Sequence, residues 1–110
     1  MGRRRRAVVW TSEALRQIDE ALAYVAQDAP SAAEQLLLKI LDAGASLSIL
    51  SERGRAVPEW RAGSIREILV DPFRLLYDVR ETKVIVLAVL HQRQDFARFR
   101  ERKHPRPDAP

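Results

Sequence analysis

Few side chains in this sequence are able to move a proton at neutral pH. His91 is one of two histidines in a chain of 110 residues, and histidine is the side chain whose unperturbed pKa lies near neutrality. Glu67 and Glu59 add carboxylates, and Arg55, Arg61, Arg66, Arg74 and Arg93 surround them with fixed positive charge. Such a set can take and return a proton while guanidinium groups stabilise a negatively charged transition state. It can equally do no chemistry. Arg66 and Arg74 have Glu67, Asp71, Asp78 and Asp95 as ion-pair partners, and a lone histidine at a strand end is able simply to cap it or pack against the C-terminal segment. Absence of cysteine removes thiolate nucleophiles, disulfides and cysteine-ligated metals. No cofactor is expected, and a reducing cytoplasm is the compartment that fits.

Charge is distributed unevenly. Residues 1–6 carry four arginines; residues 92–110 hold six basic and three acidic side chains; residues 7–91 hold nine basic and twelve acidic ones. The body is therefore slightly acidic and the ends are basic, which speeds encounters with phosphates or acidic proteins without selecting between them. No stretch reaches the roughly 18 to 20 apolar residues that span a bilayer, so neither a membrane anchor nor a signal peptide is expected.

The elements that must position these groups can be read from apolar spacing. Ala7 to Trp10 form a short β-like run, after which Thr11 or Ser12 offers a hydroxyl to cap a helix with Glu13 in its first turn. Leu15, Ile18, Leu22 and Val25 make one dry face of that helix. Asp28, Ala29 and Pro30 stop it. Ser31 and Glu34 stand in capping-box register for a second helix starting near Ser31. Its stripe is read as Ala33, Leu37, Ile40, Leu41, Leu47 and Leu50, with Leu36 and Ala43 beside it and Gly54 as the stop. Gly44 inside it fits either a close approach between backbones or a glycine that is merely tolerated. Residues 51–63 read as a loop with one short edge strand.

Ile65–Val70, Phe73–Val79 and Val84–Leu90 are three β-runs joined by turns too short for anything but antiparallel hairpins. The last run is apolar on both faces, as suits a central strand. The expected fold is α+β in the order β-α-α-β-β-β, an antiparallel sheet with the helix hairpin on one side. The organisation is a basic arm over 1–6, one domain over 7–100 and a proline-containing tail over 101–110.

Read in order, Gly54-Arg55 with Pro58, Arg66-Glu67-Ile68-Leu69-Val70, Phe73-Arg74-Leu75-Leu76-Tyr77 and a valine-rich strand ending in His91 and Arg93 resemble the RelE/ParE toxins of bacterial type II toxin–antitoxin systems. Trp10, Ala14, Ile18, Tyr24, Pro30 and Ala33 resemble the same family's helix hairpin. The likeness spans about residues 7 to 100. It implies a toxin neutralised by a cognate, ParD-like antitoxin whose C-terminal segment wraps it, with any DNA contact indirect, through that complex. Trp10, Leu36 and Trp60 are the expected antitoxin-binding residues, beside the alternative that the chain covers Leu36, Ala43 and Trp60 itself.

Two branches of the family differ in target. The RelE-like branch is a ribosome-dependent mRNA endonuclease (an mRNA interferase), whereas the ParE-like branch binds DNA gyrase. Where the nuclease branch has a basic residue at the end of the first hairpin strand this chain has Val70, and where it has a C-terminal tyrosine this chain has Phe99, which cannot transfer a proton. A related nuclease subgroup would make Glu67, Arg74 and His91 its catalytic set. The strings Arg66-Glu67-Ile68, Phe73-Arg74 and His91-Gln92-Arg93 resemble the ParE-like branch. The expectation is therefore a gyrase inhibitor without catalytic residues, whose target-binding residues are Arg66, Arg74, His91, Arg93, Arg98 and Phe99.

Overall fold

The protein was analysed as a computed structural model, which describes residues 5–57 and 65–92. The first strand, β1 (Ala7–Trp10), leads into helix α1 (Ser12–Ala26) and then α2 (Pro30–Ser46). Four more strands complete the order: β2 (Arg55–Ala56), β3 (Ile65–Val70), β4 (Phe73–Val79) and β5 (Lys83–His91). The sheet order is β1-β5-β4-β3-β2. The hairpin strands pair antiparallel, but β1 runs parallel to β5, with Val8 opposite Val84 and Trp10 opposite Val86. The sheet is thus mixed. The two helices between β1 and the hairpins form the long crossover that a parallel pair needs.

Thr11 caps α1 as expected, its Oγ1 accepting from the Ala14 N–H at 3.0 Å and donating to the Leu87 carbonyl at 3.2 Å. The second helix differs from the capping-box expectation. It begins at Pro30, with Ala29 as N-cap and no side-chain cap bond. Proline has the helical φ built in and no N–H to satisfy, so it replaces the Ser31 cap. The helix also ends at Ser46, before Leu47, Leu50 and Gly54. Its buried face is Ala33, Leu36, Ile40 and Gly44, while Leu41 stands 41% exposed. That phase is set by Gly44, whose missing side chain makes room for Trp10. A Cβ there would lie 2.3 Å from Trp10 Cζ2.

Gly44→Ala is accordingly expected to lower stability by about 1–3 kcal/mol through overpacking, although alanine is the better helix former by about 1 kcal/mol. Urea unfolding gives the sign directly, and a more stable variant would mean that the Trp10 ring yields freely.

The principal core lies between the helix hairpin and one sheet face, where Ala14, Ile18, Leu36 and Ile40 meet Ile68, Val70, Leu75, Tyr77, Val84, Val86 and Val89. Val57, Ile65, Leu76, Leu87, Ala88 and Leu90 form a second buried cluster; alternation along β3, β4 and β5 assigns it to the opposite face. One irregularity separates these sets on β5. Leu76 pairs with Ala88 but Tyr77 with Val86, so Leu87 is the extra residue of a bulge. Beyond it, side-chain parity is reversed. Arg6 is fastened to this body: its backbone N–H donates to the Ser48 carbonyl at 2.7 Å, and its guanidinium to the Arg80 carbonyl at 2.8 Å and Ser51 Oγ at 3.1 Å.

Candidate functional site

Strand parity decides which candidate residues can meet. On β3, Ile68 and Val70 face the helices, so Glu67 and Leu69 face away from them; on β4, Leu75 and Tyr77 face the helices, so Arg74 faces away. The register sets Arg55 opposite Glu67, Leu69 opposite Arg74 and Leu76 opposite Glu67. Arg55, Glu67, Leu69 and Arg74 thereby share the sheet face remote from the helices. The Glu67 carboxylate, 1% exposed, is held from both sides. Arg55 Nε donates to Oε2 at 2.6 Å, while Arg74 reaches Oε1 through Nε at 2.6 Å and Nη2 at 2.5 Å. The Arg74 side chain is 13% exposed and that of Arg55 is 74% exposed. The ion pairing open to Arg74 from sequence is realised, with Glu67 as its partner, and it is nearly buried.

His91 lies elsewhere. It pairs in register with Phe73, and the two rings meet edge to face with centroids 5.6 Å apart. Together with Val89 they line an open hollow of about 240 Å³ bordered by Gln17, Glu20 and Tyr24 of α1. This is the helix side. Uninterrupted alternation from Val84 and Val86 would have turned His91 to the other face; the bulge at Leu87 reverses it. The sequence-derived set Glu67, Arg74 and His91 is therefore split, two members on one face and the third on the other.

Arg66 is separated from Arg74 in the same way. It sits opposite Tyr77 and donates from Nη1 to the Gly54 carbonyl at 2.7 Å. Arg93, Arg98, Phe99 and Trp60, together with Arg61 and Glu59, lie outside the described residues. Trp10 is partly buried against the core and Gly44. Leu36 is 8% exposed within the core, so the chain covers it itself, the alternative to antitoxin contact. The apolar surface of the hairpin instead consists of Leu15, Tyr24, Leu38 and Leu41, from 41% to 77% exposed. Spacing along α2 cannot place Leu36, because the helix phase is set by the contact between Gly44 and Trp10.

Two contacts that the sequence does not reveal complete the framework. Gln17 Oε1 accepts from the Val89 N–H at 2.7 Å, closing the edge of β5 past the end of β1. A lone glutamine on a helix carries no signal for this. Gly54 donates its N–H to Tyr77 Oη at 2.9 Å, joining the start of β2 to the centre of the sheet. Burial raises the Tyr77 pKa above that of an ordinary tyrosine, with the Gly54 contact and nearby arginines opposing.

A hydroxyl titrating later in the fold than in the unfolded chain stabilises fully below the unfolded value and loses that contribution as pH rises through the folded one. Stability should therefore decline above about pH 10. Tyr77→Phe is expected to flatten that alkaline limb and to cost about 1–3 kcal/mol at neutral pH, because a buried N–H loses its acceptor. Thermal melts from pH 8 to 11 measure both effects.

A helix hairpin packed on one face of a small mixed sheet, with a charged cluster on the other, defines a small α+β module. Comparison with known proteins gives its family. A model of the "ParE toxin of type II toxin-antitoxin system, parDE" matches residues 8–96, and the chain belongs to that family. It is similar to a protein called putative toxin Y4kP from Sinorhizobium fredii, 31% identical over an alignment of 98 residues, with 84% of this chain and 94% of that one covered. It is also similar to one called toxin RelE2 from Caulobacter vibrioides, 32% identical over 85 residues, 76% of this chain and 92% of that one. Among solved structures, a chain of the chromosomal ParDE TA system from P. aeruginosa superposes with a TM-score of 0.68 at 16% identity, covering 80% of this chain and 97% of that one. At that identity the superposition speaks for the fold. Among the described residues no helix is long and apolar enough to cross a membrane.

Proposed function

We propose that this toxin arrests growth by binding DNA gyrase, without covalent chemistry of its own, and that a cognate ParD-like antitoxin holds it inactive. The observation that carries this reading is the split between His91 on the helix side and the Glu67–Arg74 pair on the far face. Cleavage of RNA through a 2′-hydroxyl needs an acid, a base and cations within hydrogen-bond reach of one phosphate. Among the described residues the one histidine lies across the sheet from Arg55 and Arg74, and Glu67 has both carboxylate oxygens engaged. Adhesion makes no such demand. The antitoxin's amphipathic segment would cover the exposed hairpin residues Leu15, Leu38 and Leu41, so Leu38→Asp combined with Leu41→Asp is expected to prevent co-purification of toxin with antitoxin.

One observation favours a second reading, a ribosome-dependent mRNA endonuclease: two guanidinium groups stand together on one sheet face, where a phosphate could be met. The experiment that separates the two is a supercoiling assay with purified gyrase and antitoxin-free toxin. The binding reading predicts loss of supercoiling or gyrase-dependent DNA breaks. Unchanged supercoiling, with messenger cut in a translating ribosome, would reverse the assignment.

A further inference from the structure

We infer that the end of the sheet where the basic N-terminal arm is rooted binds the phosphate backbone of duplex DNA directly, without reading its sequence. The inference goes beyond the gyrase reading and does not depend on it; it adds a direct contact to the indirect one expected through the antitoxin. Arg6 ties the arm to the body, its backbone N–H donating to the Ser48 carbonyl and its guanidinium to the Arg80 carbonyl and Ser51 Oγ. All three acceptors are neutral, so these bonds hold the Arg6 charge in place without cancelling it. Arg53 likewise donates to a neutral acceptor, the Ser46 hydroxyl, at 2.9 Å.

The same pairing gathers further cations. Ala7 stands opposite Lys83 at the start of β5, and the Arg80 N–H closes the β4–β5 turn onto the Lys83 carbonyl. Arg5, Arg53, Arg80 and Lys83 are all exposed. Asp78 pairs with Arg80 at 2.8 Å, and Glu52 and Glu81 lie on the two neighbouring turns, so Arg5, Arg6, Arg53, Arg80 and Lys83 still outnumber the carboxylates around them. Arg3 and Arg4, outside the described residues, precede Arg5 in the sequence. Three successive residues span at most about 11 Å of chain, and here each of the three is charged. Duplex DNA meets that density, with one negative charge per about 1.7 Å of axis. Protein surfaces, which intersperse both signs of charge, seldom do. None of the side chains gathered at this end is a ring on which a single strand would stack, and this selects the duplex.

The test titrates full-length, antitoxin-free toxin into short labelled duplexes, one A·T-rich and one G·C-rich, and reads anisotropy over a series of salt concentrations. The variants are Arg3→Ala, Arg4→Ala and Arg5→Ala combined, Arg53→Ala with Lys83→Ala, and Arg16→Ala as a control on the exposed side of α1; thermal melting checks the fold of each. Wild type should bind both duplexes alike, with log affinity falling linearly against log salt. Removing Arg3 to Arg5 should weaken binding at least about tenfold at low salt and lower that slope by about 2 to 3, each phosphate contact contributing about 0.9. Arg53→Ala with Lys83→Ala should weaken it by a smaller factor, and Arg16→Ala by less than about twofold. Unchanged affinity and slope in the folded triple variant would overturn the inference, as would a wild type that binds neither duplex at low salt or only one of them. Polyglutamate bound as tightly as the duplex would overturn the choice of a nucleic acid, and a single strand bound more tightly would overturn the choice of the duplex. Gyrase is absent from these titrations, so this inference and the gyrase reading can fail separately.

Discussion

Glu67→Ala is expected to lower the unfolding free energy by about 3–5 kcal/mol, the cost of breaking a buried ion pair by removing one partner. The carboxylate is 1% exposed and takes contacts from two guanidinium groups, one of them 13% exposed. Without it, Arg74 keeps its charge in a poorly solvated position and loses the acceptor for both Nε and Nη2. Arg55→Ala, by contrast, should cost less than about 1 kcal/mol, since that side chain is largely in water. Glu67→Gln belongs between them, because an amide oxygen still accepts a hydrogen bond but brings no charge. Urea unfolding of the three variants at low and high salt tests this order. Equal losses in Glu67→Ala and Arg55→Ala would contradict a cluster in which Glu67 is the buried member.

Gly54→Val should be nearly as damaging, at about 3 kcal/mol. A Cβ at this position would come within 2.5 Å of the Glu67 backbone carbonyl oxygen and 2.6 Å of Tyr77 Oη. The first is main chain in the middle of a strand, which has less freedom to move than the side chain packed near Gly44. The start of β2 would have to lift from β3, giving up the Gly54–Tyr77 bond and drawing Arg55 away from Glu67. The variant therefore links stability to the far face: amide exchange should show β2 and the neighbouring part of β3 opening together. Exchange confined to residues 53–56, with the β3 amides unchanged, would mean that the loop adapts without loss of the strand.

The strands and the first helix are legible in the sequence between residues 7 and 92 because short apolar runs, Thr11 and the turn residues all point to one order. The orientation of β1 is not. Nothing within Ala7–Trp10 distinguishes a parallel partner from an antiparallel one, and the choice is made by the crossover through both helices. The phase of α2 escapes a sequence reading for a related reason: with leucines at 36, 37, 38 and 41, several stripes are equally apolar, and only Trp10 against Gly44 selects among them.

For the site, alternation correctly sets Glu67 on the face opposite Arg66, and the sequence supplies Glu67 as an ion-pair partner for Arg74. The decisive feature, the bulge at Leu87, leaves no mark in a run of valines and leucines where every residue suits either face. His91 crosses to the helix side on account of one unpaired residue. Leu69, 61% exposed, goes unnoticed for the opposite reason, since a leucine in an apolar strand reads as core.

The claim on which the functional account stands is that harm comes from adhesion, with no proton moved by His91. Expression of the His91→Ala variant in cells lacking antitoxin, with transcript ends mapped alongside, tests it most directly once melting has shown the variant folded. The account predicts that growth arrest persists in the variant and that transcripts stay uncut in both strains. Arrest abolished in the folded variant, together with cleaved transcripts in the wild-type strain, would contradict it.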